Sequence, residues 1–406
     1  MIVASNNKYR IYANFILVVL FIFAITKIIR GASTNENAGG IWNLIQLFFV
    51  AIGIWIAIRN NKILAESNVW IFFLFSLYVF FHSFIGYAFS VVSESMSMSL
   101  IFQWIMLLCP IMTLLIFYNI GLNYSFLKLS KLYVVGVFFV FVLLLIILMR
   151  FRYSFSIEYF TVADSYYLLS FSPLLLVFFK KKFKWIVFIL LTIIFLLSGK
   201  RAGVLVICSM LLVQYFKPSF FAIVRLLILI VGFYLISNWI VDVLGLNIFD
   251  RMENIMEDGG SGRDVRYAFI IDEMLHNSSI GNIIFGHGSG EAARSIRTFV
   301  THSLSGGQVH NDFLEIVYDY GVIALFLYLY FFVKLVKTSI KMYKRKFPYY
   351  KEFLMLIILV LFLAMFSFYF IMPLFSVVCS ACFGIFLAEW NIYKNQKIYM
   401  YDSCRC

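Results

Sequence analysis

Long apolar runs separated by short polar connections dominate the sequence. Twelve runs are long enough, or nearly so, to cross the hydrocarbon core of a bilayer, which takes about 20 residues of α-helix. They lie near residues 11–29, 41–58, 69–92, 100–118, 132–149, 166–179, 185–198, 203–216, 223–244, 313–336, 353–372 and 375–392. This pattern predicts an all-α polytopic membrane protein with about 12 transmembrane helices.

One sizeable hydrophilic segment interrupts the pattern, between the ninth and tenth runs. The chain therefore divides into helices 1–9 (residues 1–244), a loop with short helices (residues 245–310), and helices 10–12 with a tail (residues 311–406). Within the loop, a Gly-rich turn precedes apolar residues at helical spacing, which are Val265, Phe269, Ile270 and Met274. The stretch IGNIIFGHGSGEAAR then predicts a short apolar piece and a glycine-rich turn.

The composition supports the membrane interpretation, with 63% hydrophobic and 13% charged residues. A net charge of +13 would suit nucleic acid only if it formed a patch on a solvated face, yet most Lys and Arg lie in short loops. Of the 33 basic residues, 22 fall in alternating connections, which indicates the cytoplasmic side. We therefore expect both termini in the cytoplasm, the 245–310 loop outside, membrane lipids as partners and no nucleic acid.

Cysteine placement argues against a metal or redox site. Cys379 and Cys382 have a C-x-x-C spacing, but they lie inside a predicted span without a second pair. Packing of small residues between helices is the favoured interpretation, and we expect neither a metal nor a cofactor.

Lys200 and Arg201 lie in a predicted outward hairpin, Leu197-Ser-Gly-Lys-Arg-Ala-Gly203. Such residues commonly extend to lipid headgroups from a helix end. The pair nevertheless departs from the positive-inside trend, and glycines at 199 and 203 would let a bulky anion approach the backbone. Both interpretations stay open, the anion site being better supported for Arg201 than for Lys200.

Arg263 and Arg266 follow the Gly-rich turn, three residues apart and hence on one helical face. They could be solvated charges paired with Asp264 or Glu257. They could instead clamp a phosphate group, because guanidinium offers a planar fork that matches two phosphate oxygens. Other arginines of the loop have weaker sequence context; these are Arg251, Arg294 and Arg297.

His310 is the strongest candidate for proton transfer. Asp312 and Glu315 have capping-box spacing, so a helix should begin directly after His310. A helix N-terminus disfavours the imidazolium form, which leaves a neutral ring able to accept a proton. Asn311, Glu315 and Asp319 recur four apart and predict a polar stripe that faces a common cavity.

The sequence contains no P-loop, no Asp-x-Asp motif and no Gly-x-Ser-x-Gly elbow. A membrane enzyme without nucleotide machinery needs a substrate that arrives activated. Four features of the chain together resemble the O-antigen polymerase (Wzy) and O-antigen ligase superfamily. They are the hairpin at 197–203, the loop that opens Gly262-Arg263, the Phe285-Gly-His-Gly288 segment, and His310-Asn311-Asp312-Phe313-Leu314 before an apolar helix.

The resemblance implies a GT-C-like fold with an outer-loop lid and an inverting glycosyl transfer that needs neither metal nor nucleotide. Undecaprenyl-diphosphate-linked oligosaccharides would be donor and acceptor, with undecaprenyl diphosphate released at the periplasmic face of the inner membrane. A chain-length regulator protein is a further expected partner of a polymerase. By motif, Arg201 and Arg263, or Arg266 in its place, would hold the diphosphate, and His310 would be the general base. Lys200, Asn311, Glu315 and Asp319 would support them.

Two alternatives remain. A ligase would share the donor but would transfer the polymer to lipid A core. A polysaccharide flippase or another transporter would carry ionisable residues along the middle of its spans, whereas here the polar groups cluster at one side. The resemblance and this distribution favour an enzyme, and we favour a polymerase within the superfamily because of the divergent, Phe-, Ile- and Lys-rich composition.

Overall fold

A computed structural model describes residues 14–16, 18–19, 22, 39–59, 70–89, 95–123, 134–146, 165–180, 183–197, 201–215, 259–299, 309–366 and 373–403. The described part of the chain is helical, without β-strands. Its first seven helices are α1 (Gly39–Arg59), α2 (Trp70–Phe89), α3 (Ser95–Asn123), α4 (Val134–Ile146), α5 (Ser165–Phe178), α6 (Lys184–Leu197) and α7 (Arg201–Tyr215). Each of these helices coincides with an apolar run that the sequence predicts to span the membrane.

The loop contributes α8 (Gly259–Asp272), a π-helical turn (Glu273–Asn277), α9 (Ile280–Phe285) and α10 (Glu291–Phe299). The remaining helices are α11 (Asp312–Lys344), α12 (Tyr350–Phe366) and α13 (Pro373–Ser403). Two helical stretches, Asp312–Lys344 and Phe375–Gln396, are each long and apolar enough to cross a membrane. The run at 223–244 and most of the run at 11–29 lie outside the described residues.

Apolar contacts hold the long helices together. Helix α13 packs along α3, α11 packs against α2 and α12, and α12 packs against α5 and α7. Cys379 and Cys382 are buried in α13, and the Cys382 thiol points to the Ser170 carbonyl of α5 at 3.7 Å. These cysteines therefore fill space between helices, as their position in an apolar run predicts.

Polar contacts between helix ends form two sets. At one side, Lys184 pairs with Glu352, and the Lys351 Nζ donates to the Gln214 carbonyl at 2.7 Å. At the opposite ends, Arg263 of α8 donates to the Phe366 carbonyl at the end of α12. The helices α8 to α10 pack at this second set of helix ends, which we call the loop side of the bundle.

Helix α11 is bent near its beginning. Gly321 has φ 80° and ψ 177°, a conformation that essentially only glycine adopts. The bend divides α11 into a short segment before Gly321 and a long apolar segment after it. The loop helix α9 packs against this bend.

Candidate functional site

Helix α11 begins directly after His310, as the sequence predicts, but with a different cap. The Asn311 side-chain oxygen accepts from the backbone N–H groups of Phe313 and Leu314, at 3.0 and 3.1 Å. The expectation of a capping box formed by Asp312 and Glu315 is wrong, because Asn311 occupies the cap position. His310, one residue earlier, has φ 62°, in the left-handed region that a residue with a Cβ rarely adopts.

Tyr267 of α8 holds this turn in place. Its hydroxyl donates to the His310 carbonyl oxygen at 3.0 Å and lies 3.5 Å from the Met365 carbonyl at the end of α12. The Asn311 side chain also hydrogen-bonds Tyr267. Burial raises the pKa of Tyr267, so its hydroxyl stays protonated and remains a donor. One tyrosine thus joins α8, the His310 turn and α12.

Arg263 and Arg266 lie on the same helix as Tyr267. The Arg263 Nη1 donates to the Phe366 carbonyl at 2.6 Å, at a helix C-terminus where carbonyl oxygens lack helical partners. Arg266 is only 4% exposed. Burial and then the neighbouring Arg263 charge lower the pKa of Arg266, so two cations lie near each other in a partly desolvated place.

The Phe285-Gly-His-Gly288 segment binds backbone oxygens that the bend in α11 releases. In an unbroken helix the carbonyls before Gly321 would accept from N–H groups four residues ahead. Instead, the Tyr318 carbonyl accepts from His287 N at 2.9 Å, and the Asp319 carbonyl accepts from Gly288 N at 3.0 Å. The Tyr320 carbonyl accepts from the Tyr78 hydroxyl at 3.1 Å. The loop and Tyr78 of α2 therefore replace hydrogen bonds that the helix gives up.

Two glycines make this contact possible. A Cβ on Gly286 would lie 2.2 Å from the Asp319 carbonyl oxygen, and one on Gly321 would lie 2.1 Å from the Ile284 carbonyl oxygen. Both residues have positive φ, at 92° and 80°. Glycine is required at both positions for space and for conformation.

Asp319 has a structural task that the sequence does not show. Its two carboxylate oxygens accept from the backbone N–H groups of Gly290 and Ala292, each at 2.8 Å. It therefore caps the beginning of α10 from α11. The prediction that Asp319 joins Asn311 and Glu315 in a stripe facing a common cavity is wrong, because Asn311 caps α11 and Asp319 binds the loop.

Glu315 and Asp312 are buried at the start of α11, 7% and 0% exposed. Asp312 Oδ2 accepts from the Tyr328 hydroxyl at 3.3 Å. Glu315 Oε2 is buried without a hydrogen-bond partner in the described part of the chain. Glu315 therefore remains a candidate supporting residue one helical turn from His310.

The predicted hairpin site is described in part. Helix α7 begins at Arg201, while Lys200 and the Arg201 side chain lie outside the described residues. Gly203 is buried, and a Cβ there would lie 1.9 Å from the Phe195 ring of α6. The expectation that Gly203 leaves room for an anion is wrong, because its open side is filled by Phe195.

The buried face of α8 also differs from its apolar periodicity. Ile270 is fully buried, yet Val265 is 47% exposed, and Arg266 takes a buried position. Ile270 packs with Ala292 and Ile296 of α10, Val309 and Tyr318. This small core joins the arginine helix to the residue beside His310.

Two other loop histidines have structural surroundings. His276 pairs with Asp272 on the surface. The His287 ring stacks on Tyr318 at 4.2 Å, with Nε2 2.8 Å from the Ser278 hydroxyl and Nδ1 3.1 Å from the Tyr318 carbonyl. Among the described residues, no group of three His, Cys, Asp or Glu could hold a metal ion.

Sequence reasoning missed Tyr267 and the roles of Asp319, Gly286 and Gly321. The glycines carried a usable signal, since a glycine inside an apolar run marks a bend or a close approach. Tyr267 carried none, because its partners lie far away in the sequence and only the fold brings them together.

A comparison with known families supports the resemblance noted in the sequence. Residues 186–329, less than half of the chain, match a family model described as O-antigen ligase. The match extends from α6 into α11 and includes Arg201, Arg263, Arg266 and His310. No curated protein matches the chain. The family covers ligase-type and polymerase-type proteins. The matched segment, residues 186–329, is thus similar to the O-antigen polymerase and ligase superfamily.

Proposed function

We propose that the chain is an O-antigen (surface polysaccharide) polymerase of the bacterial inner membrane. A hydroxyl of one undecaprenyl-diphosphate-linked glycan attacks the anomeric carbon of another. The new glycosidic bond forms as the bond to the diphosphate breaks, undecaprenyl diphosphate leaves, and the anomeric carbon is inverted. The loop side of the bundle faces the periplasm in this proposal, and both termini are cytoplasmic.

The observation that carries the proposal is the contact of the arginine helix with the His310 turn. The Tyr267 hydroxyl lies 3.0 Å from the His310 carbonyl oxygen, and Arg263 and Arg266 lie on the same helix as Tyr267. The His310 turn and the helix that carries both arginines therefore meet at one side of an apolar bundle. Inverting transfer from a diphosphate carrier needs this combination, because the acceptor loses a proton while the leaving group carries negative charge.

Each residue then has a defined role. Arg263 and Arg266 hold the diphosphate, with Arg201 as a further ligand and Lys200 in support, and His310 accepts the acceptor proton. Asn311 fixes the start of α11 through its cap bonds. Glu315 assists from the next turn, through its buried carboxylate.

The second candidate function is an O-antigen ligase, which transfers the finished polymer to lipid A core. The description of the matching family model favours it. Both enzymes use the same donor chemistry at the same residues, so only the acceptor separates them. Transport is less well supported, because Asp319 of α11 is occupied by backbone N–H groups rather than placed to bind a substrate.

His310→Ala tests the proposed base. A positioned base contributes about 10²–10⁴-fold in rate, so the variant should build no long polymer in a strain that lacks its own enzyme. His276→Ala, on the exposed surface of the same loop, is the control and should build normal chains. Wild-type polymer from His310→Ala would refute the assignment.

The acceptor decides between the two candidate functions. Purified enzyme is supplied with lipid-linked repeat units as donor, and with either a second repeat unit or lipid A core as acceptor. Release of undecaprenyl diphosphate is measured for each acceptor. Release with repeat units alone supports the polymerase, whereas release that requires lipid A core supports the ligase.

A further inference from the structure

The segment from Ser278 to Gly290 lies below the loop-side ends of the helices that it contacts. The Phe285 backbone hydrogen-bonds His82 of α2, which precedes the helix end at Phe89 by about 10 Å at 1.5 Å per residue. His287 bonds Tyr318 of α11, which follows the helix start at Asp312 by about 9 Å on the same scale. Two separate helices thus place this segment one to two turns inside their ends.

At this depth below the helix ends, large apolar side chains of α9 point away from the protein. Ile280 is 78% exposed, Phe285 55% and Ile284 39%. Just beyond the bend in α11, Val322 and Phe326 are 46% and 66% exposed, in the apolar segment suited to face lipid. The exposed side of α9 therefore continues a surface that hydrocarbon should cover.

Six backbone N–H groups of the turn after α9 and of the start of α10 have protein acceptors, as membrane depth demands. Irregular backbone is tolerated at that depth only where its polar groups are bound by protein or by cavity water. The donors and their acceptors are Gly286 N to Asn282 O, His287 N to Tyr318 O, Gly288 N to Asp319 O, Gly290 N to Asp319 Oδ2, Glu291 N to Gly288 O and Ala292 N to Asp319 Oδ1. The Asp319 carboxylate, costly in such a place, has both oxygens bound.

We propose that residues 280–288 form a re-entrant segment that dips into the outer leaflet and contacts lipid acyl chains through Ile280, Ile284 and Phe285. The segment enters as α9, turns at Gly286 and Gly288, and leaves through α10, whose first turn is bound by Asp319. Its depth is set by the close contact of Gly286 with the Gly321 bend. This inference rests on the membrane location of the chain and is independent of the reaction proposed above.

Fluorescence quenching tests the proposal directly. Single cysteines at Ile280 and Ile284 are labelled with an environment-sensitive fluorophore, and the protein is placed in phosphatidylethanolamine and phosphatidylglycerol vesicles. Lipids brominated on their acyl chains should quench both labels, and the emission should shift to the blue. Asn277→Cys, just before the segment, and Arg297→Cys, in α10, should be quenched by aqueous iodide instead.

The unsubstituted protein offers a second measurement, since a cysteine variant could fold poorly. An apolar diazirine dissolved in the bilayer and activated by light should label the peptide over residues 280–285 and spare that over 273–277. Iodide quenching at Ile280 and Ile284 would show that the segment lies in water and would overturn the proposal. Absence of both kinds of quenching, with no diazirine adduct, would show a protein cover and would equally overturn it.

Discussion

Replacing Gly321 by alanine should straighten α11 and detach the loop. The bend depends on a backbone conformation, φ 80° and ψ 177°, that alanine reaches only under strain. An alanine Cβ would also lie 2.1 Å from the Ile284 carbonyl oxygen, so α9 would have to move. In a straight helix, the carbonyls of Tyr318 and Asp319 would bind helical N–H groups, and His287 and Gly288 would lose their acceptors.

The change in the free-energy difference between bent and straight α11 is the sum of two contributions. Holding alanine in the bent conformation costs about 1–3 kcal/mol, since that region is essentially confined to glycine. Alanine in a straight helix is favoured over glycine by about 1 kcal/mol. The cost of leaving His287 N and Gly288 N without acceptors is common to both proteins and cancels. The balance moves toward the straight form by about 2–4 kcal/mol, roughly 30- to 700-fold.

Hydrogen exchange of the protein in vesicles measures the outcome. Amides over residues 286–292 should exchange faster in Gly321→Ala, and glycosyl transfer should fall because α10 loses its cap. Gly281→Ala is the matched control, since the nearest atom to its Cβ is the Ser279 Oγ at 3.7 Å. If Gly321→Ala keeps wild-type protection over 286–292, the bend does not hold the loop, and the reasoning fails.

Three further variants test the site. Arg263→Lys or Arg266→Lys keeps the charge but loses a charge-assisted bond of about 1.5–3 kcal/mol, so transfer should fall steeply at normal expression. Arg297→Lys, in the same loop, should be tolerated, and equal tolerance at all three would leave the clamp unsupported. Tyr267→Phe keeps the ring but removes its hydrogen bond to the His310 carbonyl, so it should lower kcat more than it raises KM. A wild-type kcat in Tyr267→Phe would show that Tyr267 has no role in the reaction.

The helical bundle was predictable because bilayer length and apolar composition are local properties of the chain. Every predicted span that lies within the described residues coincides with a helix. The short apolar piece at 280–285 and the helix start after His310 were also confirmed, since glycines and a capping residue mark them. Each of these signals is contained within a few neighbouring residues.

The arrangement of the site was less predictable, because its contacts join distant parts of the chain. The turn at His310 depends on Tyr267, and α10 depends on Asp319. The even spacing of Asn311, Glu315 and Asp319 suggested one shared role, yet Asn311 caps α11 and Asp319 caps α10. Spacing gives the face on which a side chain lies, but only the fold gives the groups that it meets.

His287 and His310 both lie in the loop, but we assign a structural role to His287 and the proposed catalytic role to His310. A carbonyl oxygen only accepts, so His287 Nδ1 donates to Tyr318, while Nε2 lies 2.8 Å from the Ser278 hydroxyl, which itself donates to the Glu273 carbonyl at 2.8 Å. Both ring nitrogens of His287 are thus in contact with protein groups rather than presented to a substrate.

His287→Phe should therefore lower the free energy of unfolding by about 1–3 kcal/mol, for two lost hydrogen bonds, while the ring stack on Tyr318 is kept. Transfer per folded molecule should stay near wild type, whereas His310→Gln should lose transfer at normal stability. The measurements are thermal unfolding in detergent and release of undecaprenyl diphosphate per folded enzyme. A His287→Phe protein of wild-type stability without transfer would make His287 the base, and would require the loop to open before each reaction.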